Sequence, residues 1–321
     1  MKDRQRVQHA TVVEAAIASG HAAKSAVVAS WCRSSRLHQL DPERTRLPVR
    51  LNEAELALAR ARVEPLLHAA RSVMDRLCQA VGAAGCCVLL AGNDGIPVDR
   101  RGAAGDDSTF ESWGLWTGAV WSEEQEGTNG IGTCLVEKRA LTIDRDQHFF
   151  TRNTLLSCTA APIHDHDGKL AGVLDVSSFR ADRTEGFADL ITLAVTDAVR
   201  RIEADIFRAA FPKARIVLTP PLDGHGCGLL AIDVDDLVVG ATRSARLALG
   251  LAPDRAFAPV PAADLLGGPG AALEKLGDVE RGILQRALLR AEGNVSAAAK
   301  ALGVSRATLH RKLKRFELKP H

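Results

Sequence analysis

GNVSAAAKALGVSRATLHRKLKRF, Gly293–Phe316, is the stretch on which the reading of this 321-residue chain turns. Gly293 fits the C′ position after a helix, and Asn294 fits the N-cap of the next one. Val295–Leu302 reads as a short helix with a very small packing side. Gly303–Ser305 is a tight turn, and Ser305 caps a third helix, Arg306–Phe316. At about 100° per residue, Leu309, Leu313 and Phe316 fall together on that helix. Ala307, His310, Arg311 and Lys314 lie opposite, with Arg306 and Thr308 near its start. Upstream, Gly277–Glu292 is amphipathic and supplies a first helix. Two short helices, a Gly turn and a cationic second helix spell helix-turn-helix.

Charge separates this segment from its surroundings. Between Glu280 and His321 ten basic residues stand against Glu280, Glu292 and Glu317, a net of +7. The remainder of the chain is therefore −5, within a formal total of +2. A plain three-helix bundle would share the apolar stripe but would leave the gathered charge without a purpose. An apolar back, a basic front and short polar residues at the helix N-terminus are what a helix needs to reach base edges in a groove.

Moving upstream, Ala252–Gly270 is rich in Pro, Gly and Ala and reads as a linker. LLAIDVDDLVVGA (Leu229–Ala241) reads strand–turn–strand, followed by a helix in RSARLALGL. Gly186–Phe211 is a long helix whose Ile191, Val195, Val199, Ile202, Ile206 and Ala209 form a stripe. That stripe suits either a sheet or a second subunit. TAAPIHDHDGKLAGVLDVSS (Thr159–Ser178) is a hairpin with Asp-Gly at its tip. Ile131–Asp144 reads as a short helix and then a strand, and CCVLLAG (Cys86–Gly92) as a strand. Helical periodicity covers Leu51–Val81, bent at Pro65. Leu40–Arg50 is a charged, Pro-containing loop, and residues 6–38 read as helix. Strands and helices mixed in this way predict an α+β antiparallel sheet domain over about 60–205.

The composition is ordinary for a globular chain, with 46% hydrophobic and 25% charged residues. No run approaches the ~18 apolar residues of a membrane span. The N-terminal twenty residues have no continuous apolar core, so no secretory signal and no membrane partner are expected. Seven cysteines without a C-x-x-C pair point to reduced thiols in a cytoplasm.

Two resemblances follow from these residues. ERGILQRALLRAEGNVSAAAKALGVSRATLHRKLKRFEL (Glu280–Leu318) closely resembles the C-terminal DNA-binding domain of Fis-type regulators. That resemblance implies double-stranded DNA as a partner and places Asn294, Ser296, Ser305, Arg306, Thr308, His310 and Arg311 at DNA-contacting positions. Lys314, further along the helix, is expected to meet phosphate. GLWTGAVWSEEQEGTNGIGTCLVEKRALTI (Gly114–Ile143), DQHFF (Asp146–Phe150) and SCTAAPIHDHDGKLAGVLDVSS (Ser157–Ser178) resemble the GAF sensor domain of acetoin-catabolism-type regulators. Ser30–Pro42 resembles their lead-in, and Leu229–Leu251 the opening of a PAS domain. The fold expected is thus multidomain. A helical lead-in covers 1–50 and an α+β GAF-like sensor 51–211. A small PAS-like α/β connector with its linker covers 212–270, and an all-α Fis-type helix-turn-helix 271–321.

Such regulators usually carry an ATPase module between sensor and DNA reader. No G-x-x-x-x-G-K-[ST] loop and no GAFTGA-like loop occurs here, so no ATPase activity and no cofactor are expected. In the sensor, Trp121, Thr128, Asn129, His148 and Cys158 are the candidate lining of a site for an unknown small effector. Trp113 and Trp116 are as well read as packing residues. Cys134 and Cys158 read first as buried structural thiols. GTNGIG (Gly127–Gly132) is not the dinucleotide pattern. His164, Asp165, His166 and Asp167 sit at a hairpin tip and read as a solvated turn, not a metal site. The function expected is a ligand-responsive regulator without catalytic residues, acting as a homodimer that could engage RNA polymerase. The alternative is a thiol-dependent enzyme on the GAF fold, such as a methionine sulfoxide reductase.

Overall fold

A computed structural model describes residues 2–81, 85–180, 185–219, 227–253, 255, 257–266 and 276–318. The chain divides into two compact units, Met1–Pro259 and Val260–His321.

The first unit opens with α1 (Lys2–Ala18) and α2 (Ala26–Cys32), the latter continued by a π-helical turn at Arg33–Leu37. The continuous helix read over 6–38 is therefore broken, and Ser25 caps the restart by accepting from Val28 N. Two further helices, α3 (Glu53–Arg62) and α4 (Glu64–Val81), divide at Val63, beside Pro65. Asn52 and Glu55 form a reciprocal capping box on α3.

Five strands make the main sheet: β1 (Cys86–Gly92), β2 (Pro97–Arg101), β3 (Leu141–Asp144), β4 (Ser157–His164) and β5 (Leu170–Ser178). Their order is β2-β1-β5-β4-β3, and every pairing is antiparallel. Between β2 and β3 come α5 (Asp107–Ser112), α6 (Glu123–Glu126) and α7 (Gly130–Glu137); α8 (Glu185–Ala210) follows β5. Because successive strand residues point to opposite faces, the buried central strands β1, β4 and β5 serve two cores. Cys86, Val88, Leu90, Leu174 and Val176 pack beneath α4 and α8. Cys87, Leu89, Ala91 and Cys158 pack on the inner face with Phe110, Leu115, Trp121 and Ile131. The stripe of α8 lies on the sheet: Ile191, Val195, Val199, Ile202 and Ile206 are buried, while Ala209 is exposed. The residue stripe is thereby taken up within one chain.

The lead-in is part of this unit. Val13 and Trp31 pack with Phe149 and Phe150. The indole N–H of Trp31 donates to Gln147 O at 2.9 Å, and His9 Nε2 lies 3.1 Å from His148 O.

At the other end of α8, Phe207 packs with Leu229 and Ala231 of a smaller sheet. In it β6 (Arg215–Leu218), β7 (Leu229–Ile232) and β8 (Leu237–Ala241) run antiparallel, and α9 (Arg243–Ala248) follows, capped by Thr242.

The second unit begins with β9 (Val260–Pro261) and α10 (Ala262–Leu266), elements inside a stretch read from sequence as linker. It continues with α11 (Leu276–Arg290), α12 (Val295–Ala301) and α13 (Arg306–Arg315). Leu284, Ala287, Leu288, Ala298, Ala299, Leu309 and Leu313 form its core. No helix of the described residues is long and apolar enough to cross a membrane.

Candidate nucleic-acid interface and sensor face

The three-helix unit is held by local hydrogen bonds. Asn294 Oδ1 accepts from Ser296 N and Ala297 N at 3.0 and 3.1 Å and so caps α12. Ser305 Oγ accepts from Thr308 N at 3.1 Å and caps α13. After α12, Val304 N donates to Ala299 O across Gly303, whose φ is +65°. This is a Schellman turn, which needs a left-handed residue. After α11 the left-handed residue at C′ is Glu292, at φ +50°, and Gly293 follows it, donating its N–H to Leu288 O. The sequence reading placed Gly293 at C′. It stands one residue later, because the six-to-one bond counts back to Leu288.

On α13 the division into two faces holds. Leu309 and Leu313 are buried and Phe316 is half-buried; Arg306, Ala307, His310, Arg311 and Lys314 are exposed. Asn294, Ser296 and Ser305 are exposed on the same unit, and Thr308 is half-buried, with its hydroxyl 2.8 Å from Ser305 Oγ. Lys312 pairs with Glu280 of α11. Among the described residues no carboxylate pairs with Arg306, Arg311 or Lys314. A groove of about 480 Å³ runs between α11 and α12, lined by Ile283, Ala287, Ala291, Ala297 and Leu302 and edged by Arg286 and Arg290.

The inner face of the large sheet carries a buried polar chain. His148 Nε2 lies 3.5 Å from Cys158 Sγ, and Ser177 Oγ lies 3.1 Å from that sulfur and 2.6 Å from Asp175 Oδ2. Burial holds His148 neutral down to about 4, below the usual imidazole range. Burial also lifts the Asp175 carboxyl to about 7, against the opposing effect of the Ser177 hydroxyl. The thiols of Cys87 and Cys134 are pushed up, first by burial and then by the Asp175 charge. A buried thiol held in its protonated form is a weak nucleophile.

The expected lining residues divide between two tasks. Cys158 and Trp121 share one apolar cluster, and the Trp121 indole donates to Gly114 O at 2.8 Å. Thr128 Oγ1 lies 2.7 Å from Ser30 Oγ of the lead-in, which donates at 2.7 Å to Glu123. Glu123 in turn takes Arg33 Nε at 2.5 Å, and Arg33 also reaches Glu137 at 2.9 Å. Asn129 caps α7 through Gly132 N and donates to Gly127 O. His148 and Cys158 thus meet directly, whereas Thr128 and Asn129 anchor backbone and lead-in. The glycines of GTNGIG let α7 lie close on the sheet. A Cβ at Gly130 would stand 2.6 Å from Asp175 Oδ1, and one at Gly132 2.4 Å from Glu123 N.

Trp113 packs against the inner-face cluster, and Trp116 stacks on Arg100 at 4.2 Å. His164 is not part of a solvated turn. It is 9% exposed, ends β4, and lies 2.9 Å from Glu203 of α8. The turn proper is built by Asp165 Oδ1, which accepts from Asp167 N and Lys169 N. Among the described residues no group of three His, Cys, Asp or Glu is placed to hold a metal.

Asp175, Ser177 and Arg100 escaped the sequence reading. Asp175 had a signal: it is the one acid in LAGVLDVSS, in register with Leu89 and Ala160 of strands buried on both faces.

Comparison with known proteins matches residues 1–203 to the family described as MimR, N-terminal domain, and residues 275–316 to bacterial regulatory protein, Fis family. The acetoin catabolism regulatory protein of Cupriavidus necator is 32% identical over 258 residues, covering 77% of this chain and 39% of that protein. The propane 2-monooxygenase operon transcriptional activator MimR of Mycolicibacterium smegmatis is 33% identical over 162 residues, covering 49% of this chain and 26% of that protein. The match thus spans well under half the length of either relative. A solved chain of the E. coli DhaR(N)–DhaL complex superimposes with a TM-score of 0.52 at 16% identity, covering 72% of this chain and 80% of that one, a likeness of fold.

Proposed function

The chain belongs to the family described as MimR, N-terminal domain, and from that premise we propose that it is a ligand-responsive, DNA-binding transcription regulator. The observation that carries this reading is the exposed, unneutralised basic face of α13, set on a capped helix-turn-helix that also matches the Fis family. Regulators among the relatives support it. We read residues 51–211 as a GAF-type sensor, 212–270 as a PAS-like connector with linker, and 271–321 as the DNA reader.

DNA is contacted through Asn294, Ser296, Ser305, Arg306, Thr308, His310, Arg311 and Lys314. A small effector acts on the inner face near Trp121, Thr128, Asn129, His148 and Cys158. The regulator works in the cytoplasm, without catalysis of its own; residues 204–274, between the two matched segments, contain no phosphate-binding loop. Any contact with RNA polymerase is made without ATP hydrolysis.

One helix-turn-helix covers too few base pairs for a specific site, so two copies act on a near-palindromic operator, about 34 Å apart. Since the inner stripe of α8 is spent on the sheet, the dimer surfaces are its outer side, where Leu190 and Leu193 are exposed, and the α11 groove, where Ile283 is exposed.

The test is a DNA titration at several salt concentrations on selected and scrambled sites. Arg306→Ala should cost about 1–3 kcal/mol and relax sequence preference, while Lys314→Ala should weaken all sequences alike and lower the salt slope by about one. Unchanged affinity and slope in both variants would remove the reading.

A further inference from the structure

Arg100, on β2, is the most unusual cation of the inner face. By register it lies across from Leu89 of β1, which lies across from Asp175 of β5. Its side chain is only 9% exposed, with the guanidinium over Trp116 at 4.2 Å and over Phe110 at 5.5 Å. The indole fixes the plane of the group. Nη1 donates to Asp107 at 2.7 Å, and that carboxylate is 40% exposed. Nε and Nη2 are buried and meet no acceptor among the described residues. These two nitrogens form one edge of the guanidinium, the edge that takes both oxygens of a carboxylate in parallel. A buried cation with one edge unsatisfied is costly, and an anion supplied from outside would offset that cost. Gly102 lies close beside this edge, and only a glycine fits there unchanged, since a Cβ would stand 2.7 Å from Nη2.

We propose that the Nε–Nη2 edge of Arg100 binds the carboxylate of a small monocarboxylate effector. The proposal rests on the reading of the inner face as the effector site. Ligands with a second carboxylate are disfavoured, because the next polar side chain along the row beyond Leu89 is Asp175. Trp116 and Phe110 offer apolar walls to a short aliphatic or hydroxylated chain.

The experiment is thermal unfolding of the full chain at pH 8 with millimolar propionate, butyrate, lactate or pyruvate. Butanol, butanone, succinate and inorganic phosphate are run beside them, on the wild type, Arg100→Lys and Gly102→Ala. At least one monocarboxylate should raise the melting temperature in a dose-dependent way. Arg100→Lys, which keeps the charge and loses the edge, should weaken its apparent affinity roughly 10- to 100-fold. Gly102→Ala keeps the Arg100 side chain but sets a Cβ 2.7 Å from Nη2 and so displaces the guanidinium edge; it should abolish the shift even if Arg100→Lys folds poorly. Stabilisation by butanol or butanone alone leaves the effector face standing and overturns the carboxylate. Equal stabilisation by phosphate and succinate overturns it as well, as does a shift that survives both substitutions. If nothing shifts the wild type, the carboxylate and the effector face fall together.

Discussion

The three-helix unit and the inner face of the large sheet are organised by contacts of opposite range. In the unit, the caps join residues two or three positions apart: Asn294 with Ser296 and Ala297, Ser305 with Thr308. On the inner face the partners are 98 residues apart at Ser30 and Thr128, 116 at Trp31 and Gln147, and 139 at His9 and His148. The first region shows its polar groups to solvent; the second hides them. A substitution in the first therefore acts through a few neighbours and through whatever binds outside. A substitution in the second disturbs packing, burial and protonation together.

The largest effect should come from the inner face. Trp121 is 1% exposed and its indole N–H is satisfied by Gly114. Trp121→Ala should lower stability by about 3–5 kcal/mol in urea unfolding. A loss below about 1 kcal/mol would mean that the face is loosely packed, and the contrast between the regions would fail.

Next in size is the pH dependence of the same face. Burial sets Asp175 at about 7, so the native chain keeps a proton that the unfolded chain releases from about pH 4 upward. Asp175 therefore costs stability progressively as pH rises from about 4 to 7, with no further loss above that. Asp175→Asn should raise the melting temperature by several degrees at pH 8 and leave it nearly unchanged at pH 4. Glu126, also lifted to about 7 by burial, adds a contribution of the same sign, so the variant keeps part of the slope. His148 works in the opposite direction. Held neutral down to about 4, it contributes stability above the unfolded pKa near 6.5, lost progressively as pH falls from there to 4. A flat profile in the wild type, with no change in Asp175→Asn, would contradict the burial assigned to this carboxyl.

In the three-helix unit the corresponding change is modest. Asn294→Ala removes a cap that accepts two backbone N–H groups and should cost about 1 kcal/mol, read from the unfolding of that unit. A cost above about 3 kcal/mol would show that the cap does more than end a helix. Smallest of all, Asp197→Ala removes an exposed pair with Arg201 on α8. It should change stability by less than about 0.5 kcal/mol, a difference visible only in replicate denaturation curves.

The same contrast decided what could be read from the sequence. The starts of α12 and α13 were legible, and their ends to within one residue, because caps, a Gly turn and a four-residue apolar spacing are local signals. The β4–β5 hairpin and β1 were legible for the same reason, through Asp-Gly and short apolar runs. Harder to see were β2, β6 and α5, where PVDRR, RIVL and DSTFES carry no alternation or strong cap. They take their structure from the elements they pack on. The break between α1 and α2 is likewise set by the fit of Trp31 and Val13 against Phe149 and Phe150. At the candidate sites, the exposed basic residues could be named from helical geometry alone. On the inner face, His148 and Cys158 were singled out, but Ser177 and Asp175 reach Cys158, and Arg100 takes its place two strands away in the same row, only through strand register, which no stretch of sequence spells out.

The lead-in has a consequence for synthesis. Trp31 is translated 116 residues before its partner Gln147, and His9 139 residues before His148. At about 5–20 residues per second, Trp31 waits roughly 6–23 s for that partner to be made. Through that interval its indole and the side chain of Val13 lack Phe149 and Phe150 to pack on. The lead-in is thus made well before the turns it packs on, around Gln147–Phe150, and can fold back on them only after they appear, against the loop-closure entropy of such separations.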